Sequence, residues 1–313
     1  MRAAILRAHG GAPELGELED PQPAPGVELL DVLAAGMNPV DVRIASGTFP
    51  SERHETPYVA GKEGVGRRAD GSLVYFEWSV KPYGAFAKRT LIEAGSGYPV
   101  PDGLDPALAV CFGVAGLAAW LPLEWRGRLA PGETVLVLGA SGVVGQIGVQ
   151  AAKLLGAGRV VAAARSEDGL ERARALGADA TVQLGAAEGL ADALREVAGG
   201  DGFDLVLDPL WGELAQAAVV ALKPFGRLVH MGQSAGANAT LSSASVRAKP
   251  VEIIGYSNYT APEERKAAAY ERMVRHAAAG ELRVAIERLS FDDIPDAWRR
   301  VGSSPHAKLV IEP

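Results

Sequence analysis

The central part of the chain alternates between short, continuously apolar runs and longer stretches of mixed polarity. The first run, Thr134–Leu138, is apolar after its first position and leads into a glycine-rich turn. Apolar runs of about four to eight residues that alternate with helical stretches are typical of parallel strands buried on both faces of a sheet. The pattern predicts strands at Thr134–Leu138, Arg159–Ala163, Ala180–Gln183, Leu205–Leu207, Arg227–Met231 and Val251–Tyr256, and helices at Val144–Leu155, Gly169–Leu176, Ala187–Ala198 and Glu213–Leu222.

The chain before this region has short strand-like runs separated by glycine and proline. Pro21–Gly26 is a proline-rich stretch in which a helix is excluded, because proline lacks the N–H that a helix interior needs. Short strands with many turn residues favour a partly open β-barrel. The strands predicted here are Arg2–Leu6, Val27–Ala34, Ser72–Phe76 and Ala85–Ile92.

Two further helices and a final strand complete the predicted elements. Ala107–Trp120 is apolar, alanine-rich and long enough for a buried helix. Thr260 and Glu263 have the spacing of a capping box, with a proline between them, and predict a helix that ends at Gly280. Lys308–Ile311 returns to β character, so this end of the chain is expected to rejoin the first domain.

Composition and charge favour a globular chain of two domains. The 313 residues exceed what one hydrophobic core usually holds, and the formal charge of −7 argues against a nucleic-acid or anionic-membrane partner. Cys111 is the only cysteine and lies in an apolar run, which excludes an intrachain disulfide and favours a buried, inert thiol. Because no uncharged apolar run reaches the length of a membrane span and the N-terminus is not signal-like, we expect a cytoplasmic protein.

A glycine-rich turn between a predicted strand and a predicted helix is the strongest motif in the chain. The sequence GASGVVG begins at Gly139, with Ala140 at the first glycine position of the usual dinucleotide fingerprint. Glycines let the backbone turn tightly and let a pyrophosphate approach the N–H groups of the helix N-terminus. The predicted cofactor-binding residues of this turn are Gly139, Ser141, Gly142, Val143, Val144 and Gly145.

The end of the next predicted strand indicates which dinucleotide binds. NAD-specific sites usually carry an acidic residue there, about 20 residues after the turn, whereas this chain has Ala164. Arg165 and Ser166 follow and are suited to a 2′-phosphate. The alternative is that Arg165 is an ordinary solvated residue, and two acidic residues come next. The sequence therefore favours NADPH over NADH. Met231 and Gly232, after a later strand, are expected to line the same site.

The chain contains six short motifs: Gly36-Met37-Asn38-Pro39-Val40-Asp41, Gly61-Lys62-Glu63-Gly64-Val65-Gly66, Gly84-Ala85-Phe86-Ala87, Val114-Ala115-Gly116-Leu117, Gly139–Gly145 and Leu176-Gly177-Ala178-Asp179. Together they resemble the quinone oxidoreductase branch of the medium-chain dehydrogenase/reductases, the ζ-crystallin-like proteins. The resemblance covers nearly the whole chain and implies an α/β fold. A Rossmann doubly wound parallel sheet would occupy residues 113–257, and a GroES-like, partly open β-barrel domain residues 1–112 and 258–313. It also implies a homodimer and hydride transfer from NADPH to quinones or α,β-unsaturated carbonyls.

The same family contains zinc alcohol dehydrogenases, whose catalytic zinc is held by a cysteine, a histidine and a cysteine. The resemblance places Asn38 or its neighbours, Lys62 and Val114 at those positions, and lysine and valine cannot assemble a zinc site. The five histidines are scattered and form no ligand-spaced pair, so we expect no metal. Without a Lewis acid to ionise an alcohol, reduction of a conjugated acceptor is the easier chemistry, because the charge spreads onto a carbonyl oxygen.

Asn38 and Lys62 are the candidate catalytic residues. The resemblance implies that Asn38 lies near the nicotinamide and the substrate carbonyl, where its amide would donate a hydrogen bond; alternatively, Asn-Pro opens a turn and the side chain caps backbone. The resemblance also implies a cleft between the two domains. Lys62 would face this cleft, partly buried, and stabilise an oxyanion or donate a proton. Alternatively, Lys62 forms only an ion pair with Glu63.

Three aromatic residues are expected to line the acceptor site. Related enoyl thioester reductases carry a tyrosine proton donor at the place of Phe49, and this departure favours quinones or enones over thioesters. Tyr58 is near in sequence and is a possible substitute donor. Tyr75 begins an aromatic stretch that forms either a flat acceptor site or part of the core.

The sequence thus predicts an NADPH-dependent reductase of quinones or α,β-unsaturated carbonyls that needs no metal. One alternative is a biosynthetic enoyl reductase that acts on a specialised or carrier-bound enone, although no basic patch for a phosphopantetheine arm is evident. The other alternative is an NADPH-binding protein with little turnover, which Phe49 permits. The predicted partners are a small-molecule acceptor and a second copy of the chain, without nucleic acid or membrane.

Overall fold

The computed structural model describes residues 1–49, 54–185, 188–303 and 305–313, and the chain falls into two compact units. The first unit contains Met1–Ala115 and Tyr270–Pro313, and the second contains Gly116–Ala269. Residues 258–269, which the sequence groups with the first domain, belong to the second unit. Each unit has its own sheets and its own hydrophobic core.

Strands and helices are labelled in chain order. The strands are β1 (Arg2–Leu6), β2 (Glu14–Glu17), β3 (Val27–Met37), β4 (Tyr58–Val59), β5 (Glu63–Arg67), β6 (Leu73–Phe76), β7 (Arg89–Glu93), β8 (Tyr98–Pro99), β9 (Thr134–Leu138), β10 (Arg159–Ala164), β11 (Ala180–Gln183), β12 (Phe203–Asp208), β13 (Leu222–His230), β14 (Glu252–Gly255), β15 (Ile286–Leu289) and β16 (Lys308–Ile311). The α-helices are α1 (Pro39–Ala45), α2 (Pro106–Ala109), α3 (Val114–Leu121), α4 (Val143–Leu154), α5 (Glu167–Ala175), α6 (Leu190–Val197), α7 (Gly212–Val220), α8 (Ser243–Arg247), α9 (Glu263–Ala278) and α10 (Ile294–Arg300). The first residue of the predicted helix Ala187–Ala198 lies outside the described residues.

The second unit contains a six-stranded sheet with the order β11-β10-β9-β12-β13-β14, and all of its neighbouring strands are parallel. The order reverses between β9 and β12, as in doubly wound sheets that bind dinucleotides at this point. Its central strands are buried, since the core on one face includes Leu136, Val161 and Val206, each 0% exposed. The predicted α/β class with a Rossmann sheet is confirmed.

The first unit is organised around β3, which pairs with β7 along its first half and with β5 and β16 along its second. A register shift between Val32 and Ala34 accompanies this exchange of partners. β16 lies antiparallel to β3, so the C-terminal strand joins this sheet as its β character predicts. A separate three-stranded sheet has the order β2-β1-β4. The core between the sheets includes Leu30, Phe76, Phe86, Ile92, Phe291 and Trp298.

The apolar segment predicted as one helix over Ala107–Trp120 is divided at Gly113. Helix α2 and a 3-10 turn precede Gly113, whose ψ of −111° leaves the helical region, and α3 follows it. A Cβ at Gly113 would lie 2.1 Å from ring atoms of Tyr75, an approach that the pattern of small apolar residues does not reveal. In the described ranges no single helix is long and apolar enough to cross a membrane; only the bent pair Pro106–Phe112 and Val114–Arg126, taken together, has that length and composition.

Thr260, predicted as the N-cap of the next helix, lies three residues before that helix begins. Thr260 ends a 3-10 turn that Ser257 caps, and its hydroxyl donates to the Ser257 carbonyl at 3.2 Å. Helix α9 begins at Glu263, and Gly280, with a φ of +74°, follows its end. Five short strands, β2, β4, β5, β8 and β15, are not predicted, because runs of two to five residues carry little periodicity.

Candidate active site

The three glycines of the turn after β9 have different structural roles. Gly139 has a φ of +64°, which glycine adopts without the steric cost of a side chain. Gly142 faces open space, since a Cβ there would meet only the Gly139 carbonyl oxygen, at 3.5 Å. Gly145 packs directly on the turn, because a Cβ there would lie 2.3 Å from the same oxygen. The turn therefore holds α4 close to β9 and leaves room beside Gly142.

That room lies at the N-terminus of α4, a 12-residue helix with Gly142 as its N-cap. The N–H groups of Val143 and Val144 belong to the first helical turn, where no acceptor inside the helix is available and the helix dipole is positive. Ser141 is 8% exposed, and its carbonyl accepts a hydrogen bond from a glutamine of α4 at 2.9 Å, which fixes the turn. These residues fit the pyrophosphate of a dinucleotide, because its oxygens need N–H donors and space for close approach.

Arg165 and Ser166, at the end of β10, have different surroundings. Arg165 is exposed, and no ion pair of its guanidinium occurs within the described residues. Ser166 is the N-cap of α5, and its Oγ accepts from a backbone N–H at 3.3 Å. The nearby carboxylate of Glu167 pairs with Arg174 at 2.9 Å. Arg165 is therefore available to an anion, whereas the Ser166 hydroxyl already has a structural partner.

The loops that follow β12 and β13 lie against each other at the carboxyl edge of the sheet. The Met231 N–H donates to the Asp208 carbonyl at 3.0 Å. A Cβ at Gly232 would lie 2.5 Å from the Pro209 carbonyl oxygen, so the two loops are in close contact there. Met231 and Gly232 thus lie on the edge where doubly wound sheets bind their ligands.

The first unit contains a cluster of buried polar groups, here named the Glu63 cluster, which consists of Asn38, Glu63, Tyr75, Lys308 and the Val114 N–H. The Glu63 Oε1 accepts from Lys308 Nζ at 2.6 Å and from Asn38 Nδ2 at 2.7 Å. The Glu63 Oε2 accepts from the Tyr75 hydroxyl at 2.9 Å and from the Val114 N–H at 2.7 Å. Glu63 is 0% exposed, so these four donors and the lysine charge compensate for its desolvation.

The Asn38 amide is used inside this cluster. Its Nδ2 also donates to the Gly36 carbonyl at 3.2 Å, and its Oδ1 accepts from Lys308 Nζ at 2.5 Å. Asn38 precedes α1 as its N-cap, and its side chain binds a backbone carbonyl as well as the Glu63 carboxylate, so the turn interpretation describes part of its contacts. To donate a hydrogen bond to the carbonyl of a substrate, the Asn38 amide must give up one of its two present hydrogen bonds. The bond to the Gly36 carbonyl is the longer of the two.

Asp41, to which the sequence assigns no role, connects the two candidate catalytic residues. Its Oδ2 accepts from the Asn38 N–H at 2.7 Å and its Oδ1 from the Lys62 N–H at 2.9 Å. Burial raises the pKa of the Asp41 carboxyl to about 6, although both hydrogen bonds act in the opposite direction. The Asp41 carboxyl therefore fixes the backbones of Asn38 and Lys62.

Lys62 is buried and paired, but with a different carboxylate from the one predicted. Its Nζ lies 3.1 Å from Glu77 Oε1 and 2.9 Å from the centroid of the Trp78 ring, and its side chain is 2% exposed. The predicted pair with Glu63 is wrong, because Glu63 pairs with Lys308.

A pocket of the first unit is lined by Lys62 and by aromatic side chains. Its walls include Tyr58, Trp78, His54 and Lys81. The rings of His54 and Tyr58 meet edge to face at 5.3 Å, and Lys81 Nζ lies 4.9 Å from the Tyr58 centroid. Of the three aromatic residues predicted to line an acceptor site, Tyr58 is in this pocket. The pocket combines cationic groups with flat apolar walls.

The other two predicted lining residues lie elsewhere. The Phe49 ring is 5.2 Å from the Arg43 guanidinium carbon. Tyr75 is 0% exposed, and its ring stacks with Tyr98 at 5.7 Å and with Tyr270 at 4.8 Å. Burial and the neighbouring carboxylate raise the pKa of Tyr75 well above its ordinary value. Its assignment as a lining residue is corrected: Tyr75 belongs to the core.

The positions that the family aligns with zinc ligands carry backbone hydrogen bonds to carboxylates instead. The N–H of Lys62 binds Asp41, and the N–H of Val114 binds Glu63. Within the described ranges no group of three or more histidine, cysteine, aspartate or glutamate residues is arranged for a metal ion. Burial raises the pKa of the Cys111 thiol to about 12. The expected absence of a metal stays a prediction based on residue types.

The sequence does not identify Glu63 and Lys308 as partners. They are 245 residues apart, and a contact over that distance leaves no local pattern. Two signals point to them: Lys308 is a charged residue at the start of an otherwise apolar strand, and Gly36 interrupts β3. A Cβ at Gly36 would lie 2.6 Å from Glu63 Oε1 and 2.8 Å from Lys308 Cε, so the glycine leaves room for the ion pair.

Comparison with known proteins gives consistent results. Residues 143–275 match the sequence profile of the zinc-binding dehydrogenases. Quinone oxidoreductase from Rattus norvegicus is 29% identical over 278 residues, which are 84% of this chain and 82% of the rat protein. The quinone oxidoreductase from Thermus thermophilus, solved also in complex with NADPH, superposes with a TM-score of 0.85 at 28% identity and covers 100% of both chains.

A much longer protein is also similar. One component of the phenolphthiocerol/phthiocerol polyketide synthase of Mycobacterium tuberculosis is 33% identical over 294 residues, but the chain spans only 13% of its length. The profile named after zinc covers neither Lys62 nor Val114, so it says nothing about those positions. The similarity to quinone oxidoreductases extends over both units and agrees with the motifs in the sequence. Together these similarities support a medium-chain dehydrogenase/reductase of the quinone oxidoreductase branch.

Proposed function

We propose that this protein is an NADPH-dependent reductase of quinones or α,β-unsaturated carbonyls that works without a metal. The observation that carries the proposal is the end of β10, where an exposed Arg165 with no internal ion pair among the described residues follows Ala164 instead of a carboxylate. Relatives named quinone oxidoreductase and 2-haloacrylate reductase support the acceptor class. A cytoplasmic location and a homodimer stay predictions.

The second unit would hold the cofactor. The glycine turn from Gly139 to Gly145 binds the pyrophosphate, and Arg165 binds the 2′-phosphate. Ser166, the next residue, lies beside the ribose that carries this phosphate. Met231 and Gly232 line the remaining edge. NADPH, when bound, supplies the hydride that adds to the conjugated acceptor. These residues orient the cofactor and contribute no group that reacts.

The first unit would hold the acceptor in the pocket beside Lys62. Tyr58 and Trp78 provide flat walls for a conjugated ring or enone. Lys62 stabilises the negative charge that develops on the acceptor oxygen, because an ammonium in a buried setting is poorly screened by water. Asn38 contributes a hydrogen bond after exchanging its bond to Gly36. Solvent supplies the proton that completes the reduction.

A second candidate function is reduction of a carrier-bound enone in biosynthesis. The observation that favours it is the 33% identity to a segment of a polyketide synthase. In this alternative the cofactor site is unchanged, and only the acceptor differs. An enoyl thioester of pantetheine, compared with a free enone, separates the two candidates by their kcat/KM.

Replacing Arg165 with alanine tests the cofactor assignment. We expect the Kd for NADPH to rise at least about tenfold, or about 1.4 kcal/mol, because a charge-assisted contact to the 2′-phosphate is lost. The Kd for NADH should hardly change, since NADH has no 2′-phosphate. Both constants can be measured by titration of the cofactor fluorescence.

Arg67→Ala is the matched control, because Arg67 is an exposed arginine at the end of β5 in the other unit. It should leave both dissociation constants unchanged. If Arg165→Ala weakens NADPH and NADH equally, Arg165 does not bind the 2′-phosphate and the preference for NADPH loses its physical basis.

A further inference from the structure

Asp208, His230 and Trp211 are in contact at the carboxyl ends of β12 and β13, and the site described above assigns no role to His230 or Trp211. Asp208 is 0% exposed, and its Oδ1 accepts from the N–H groups of Leu210 and Trp211, each at 2.9 Å. Its Oδ2 lies 3.4 Å from His230 Nδ1. The carboxylate therefore holds the loop after β12 with one oxygen and faces the imidazole with the other.

Trp211 covers the His230 ring. The two ring centroids are 4.2 Å apart, with an interplanar angle of 37°. The Trp211 backbone has a φ of +60° and a ψ of −159°, a conformation that is sterically unfavourable for a residue with a side chain. Such a conformation persists where the surroundings impose it, and it often occurs at ligand-binding sites. An aromatic residue in this strained conformation indicates that the Trp211 ring contributes to a binding site.

The His230 ring has one buried edge and one open edge. Its Nδ1 is buried and faces Asp208, whereas the side chain as a whole is 28% exposed. The exposed part is therefore the opposite edge, which carries Nε2. In the part of the chain that the structure describes, no hydrogen bond uses this nitrogen, so Nε2 is open to a ligand at the edge of the sheet.

The position of His230 in the sheet indicates which part of a dinucleotide lies closest. Arg165 marks the adenosine end at β10, and the glycine turn after β9 marks the pyrophosphate. The sheet continues through β12 to β13, where His230 is the last residue. Because doubly wound sheets bind one mononucleotide on each half, β12 and β13 belong to the half that binds the nicotinamide mononucleotide.

We propose that His230 is a further cofactor-binding residue, whose Nε2 forms a hydrogen bond with an oxygen of the nicotinamide mononucleotide half. Asp208 and Trp211 are positioning residues, since they fix one edge and one face of the imidazole. The proposal rests on the proposed binding of NADPH. It predicts that His230 distinguishes the whole cofactor from its adenosine half.

The test compares NADPH with 2′,5′-ADP, which has the adenosine half with its 2′-phosphate but no nicotinamide. His230→Ala should raise the Kd for NADPH about tenfold and leave the Kd for 2′,5′-ADP within about twofold. Arg165→Ala should weaken both ligands. His230→Gln, whose side-chain amide has both a donor and an acceptor, should recover part of the lost affinity for NADPH. Calorimetric titration of each variant gives both constants without turnover.

Trp211→Ala tests the positioning role. It should weaken NADPH but not 2′,5′-ADP, and the double variant with His230→Ala should be no weaker than His230→Ala alone, because both changes remove the same contact. Equal binding of NADPH by wild type and His230→Ala would overturn the inference, as would equal losses for both ligands. Failure of the wild type to bind NADPH would instead refute the proposed function, on which the inference depends.

Discussion

Replacing Lys308 with methionine is expected to lower the free energy of unfolding by about 3 to 5 kcal/mol. The ammonium is 2% exposed and binds Glu63 Oε1 at 2.6 Å and Asn38 Oδ1 at 2.5 Å. Methionine fills similar space but leaves the Glu63 carboxylate buried without a counter-charge. Removing one partner of a buried ion pair destabilises the folded protein by more than the intact pair stabilises it, because the remaining charge is uncompensated.

Urea denaturation of wild type and variant measures this loss. Lys88→Met is the matched control, since Lys88 is an exposed lysine of the same unit, and it should change stability by less than about 0.5 kcal/mol. The double variant Lys308→Met with Glu63→Gln should recover part of the loss, because a neutral amide replaces the unpaired charge. If the free energy of unfolding of Lys308→Met lies within about 1 kcal/mol of the wild-type value, the Glu63 carboxylate is not a buried charge that Lys308 compensates.

Removing the Lys62 ammonium is expected to lower kcat about a hundredfold, or about 2.7 kcal/mol. Lys62 lines the proposed acceptor pocket, and its charge would stabilise the oxyanion formed when hydride adds to the acceptor. Lys62→Met alone is an ambiguous test, because it leaves the buried Glu77 carboxylate without its partner at 3.1 Å. The informative variant is therefore Lys62→Met combined with Glu77→Gln.

Glu77→Gln alone is the reference for this double variant. It keeps the ammonium and should retain kcat within about threefold, whereas the double variant should lose about a hundredfold. Steady-state kinetics with a quinone, together with the thermal unfolding midpoint of each variant, separates a chemical effect from a folding effect. Equal kcat values for the two variants, at equal stability, would make Lys62 a structural residue.

The nucleotide-binding unit is predictable from sequence because its signals are local. A buried parallel strand is continuously apolar, as in β9, and the tight turn after it requires the glycine at position 139. Strand, turn and helix follow one another within about 20 residues, so one window of sequence contains the motif. The position of Arg165 is also a local feature, since it follows β10 directly.

The first unit is harder to predict because its site depends on contacts between distant segments. Glu63, at the start of β5, finds its counter-charge on β16, and neither strand indicates the other. The alternative in which Lys62 pairs with Glu63 also fails, because Lys62 pairs with Glu77 and Glu63 pairs with Lys308. The break at Gly113 results from the Tyr75 ring, which approaches from β6.

Tyr75 illustrates how composition can mislead. An aromatic stretch near a proposed site is compatible with a flat substrate pocket and with a core, and only burial separates the two. The Tyr75 ring is stacked with two other tyrosines, and its hydroxyl donates a hydrogen bond to the buried Glu63 carboxylate. Trp78, three residues later, is 41% exposed and lies over Lys62 in the pocket.

The most direct test of the proposed function follows the absorbance of the reduced nicotinamide band with purified protein that has been dialysed against a metal chelator. NADPH and NADH are supplied separately with a simple quinone, a simple enone and an enoyl pantetheine thioester. We expect acceptor-dependent oxidation that is at least about tenfold faster with NADPH at low cofactor concentration and that the chelator does not reduce. Tight NADPH binding without oxidation by any of these acceptors would contradict the account and identify a cofactor-binding protein with little turnover.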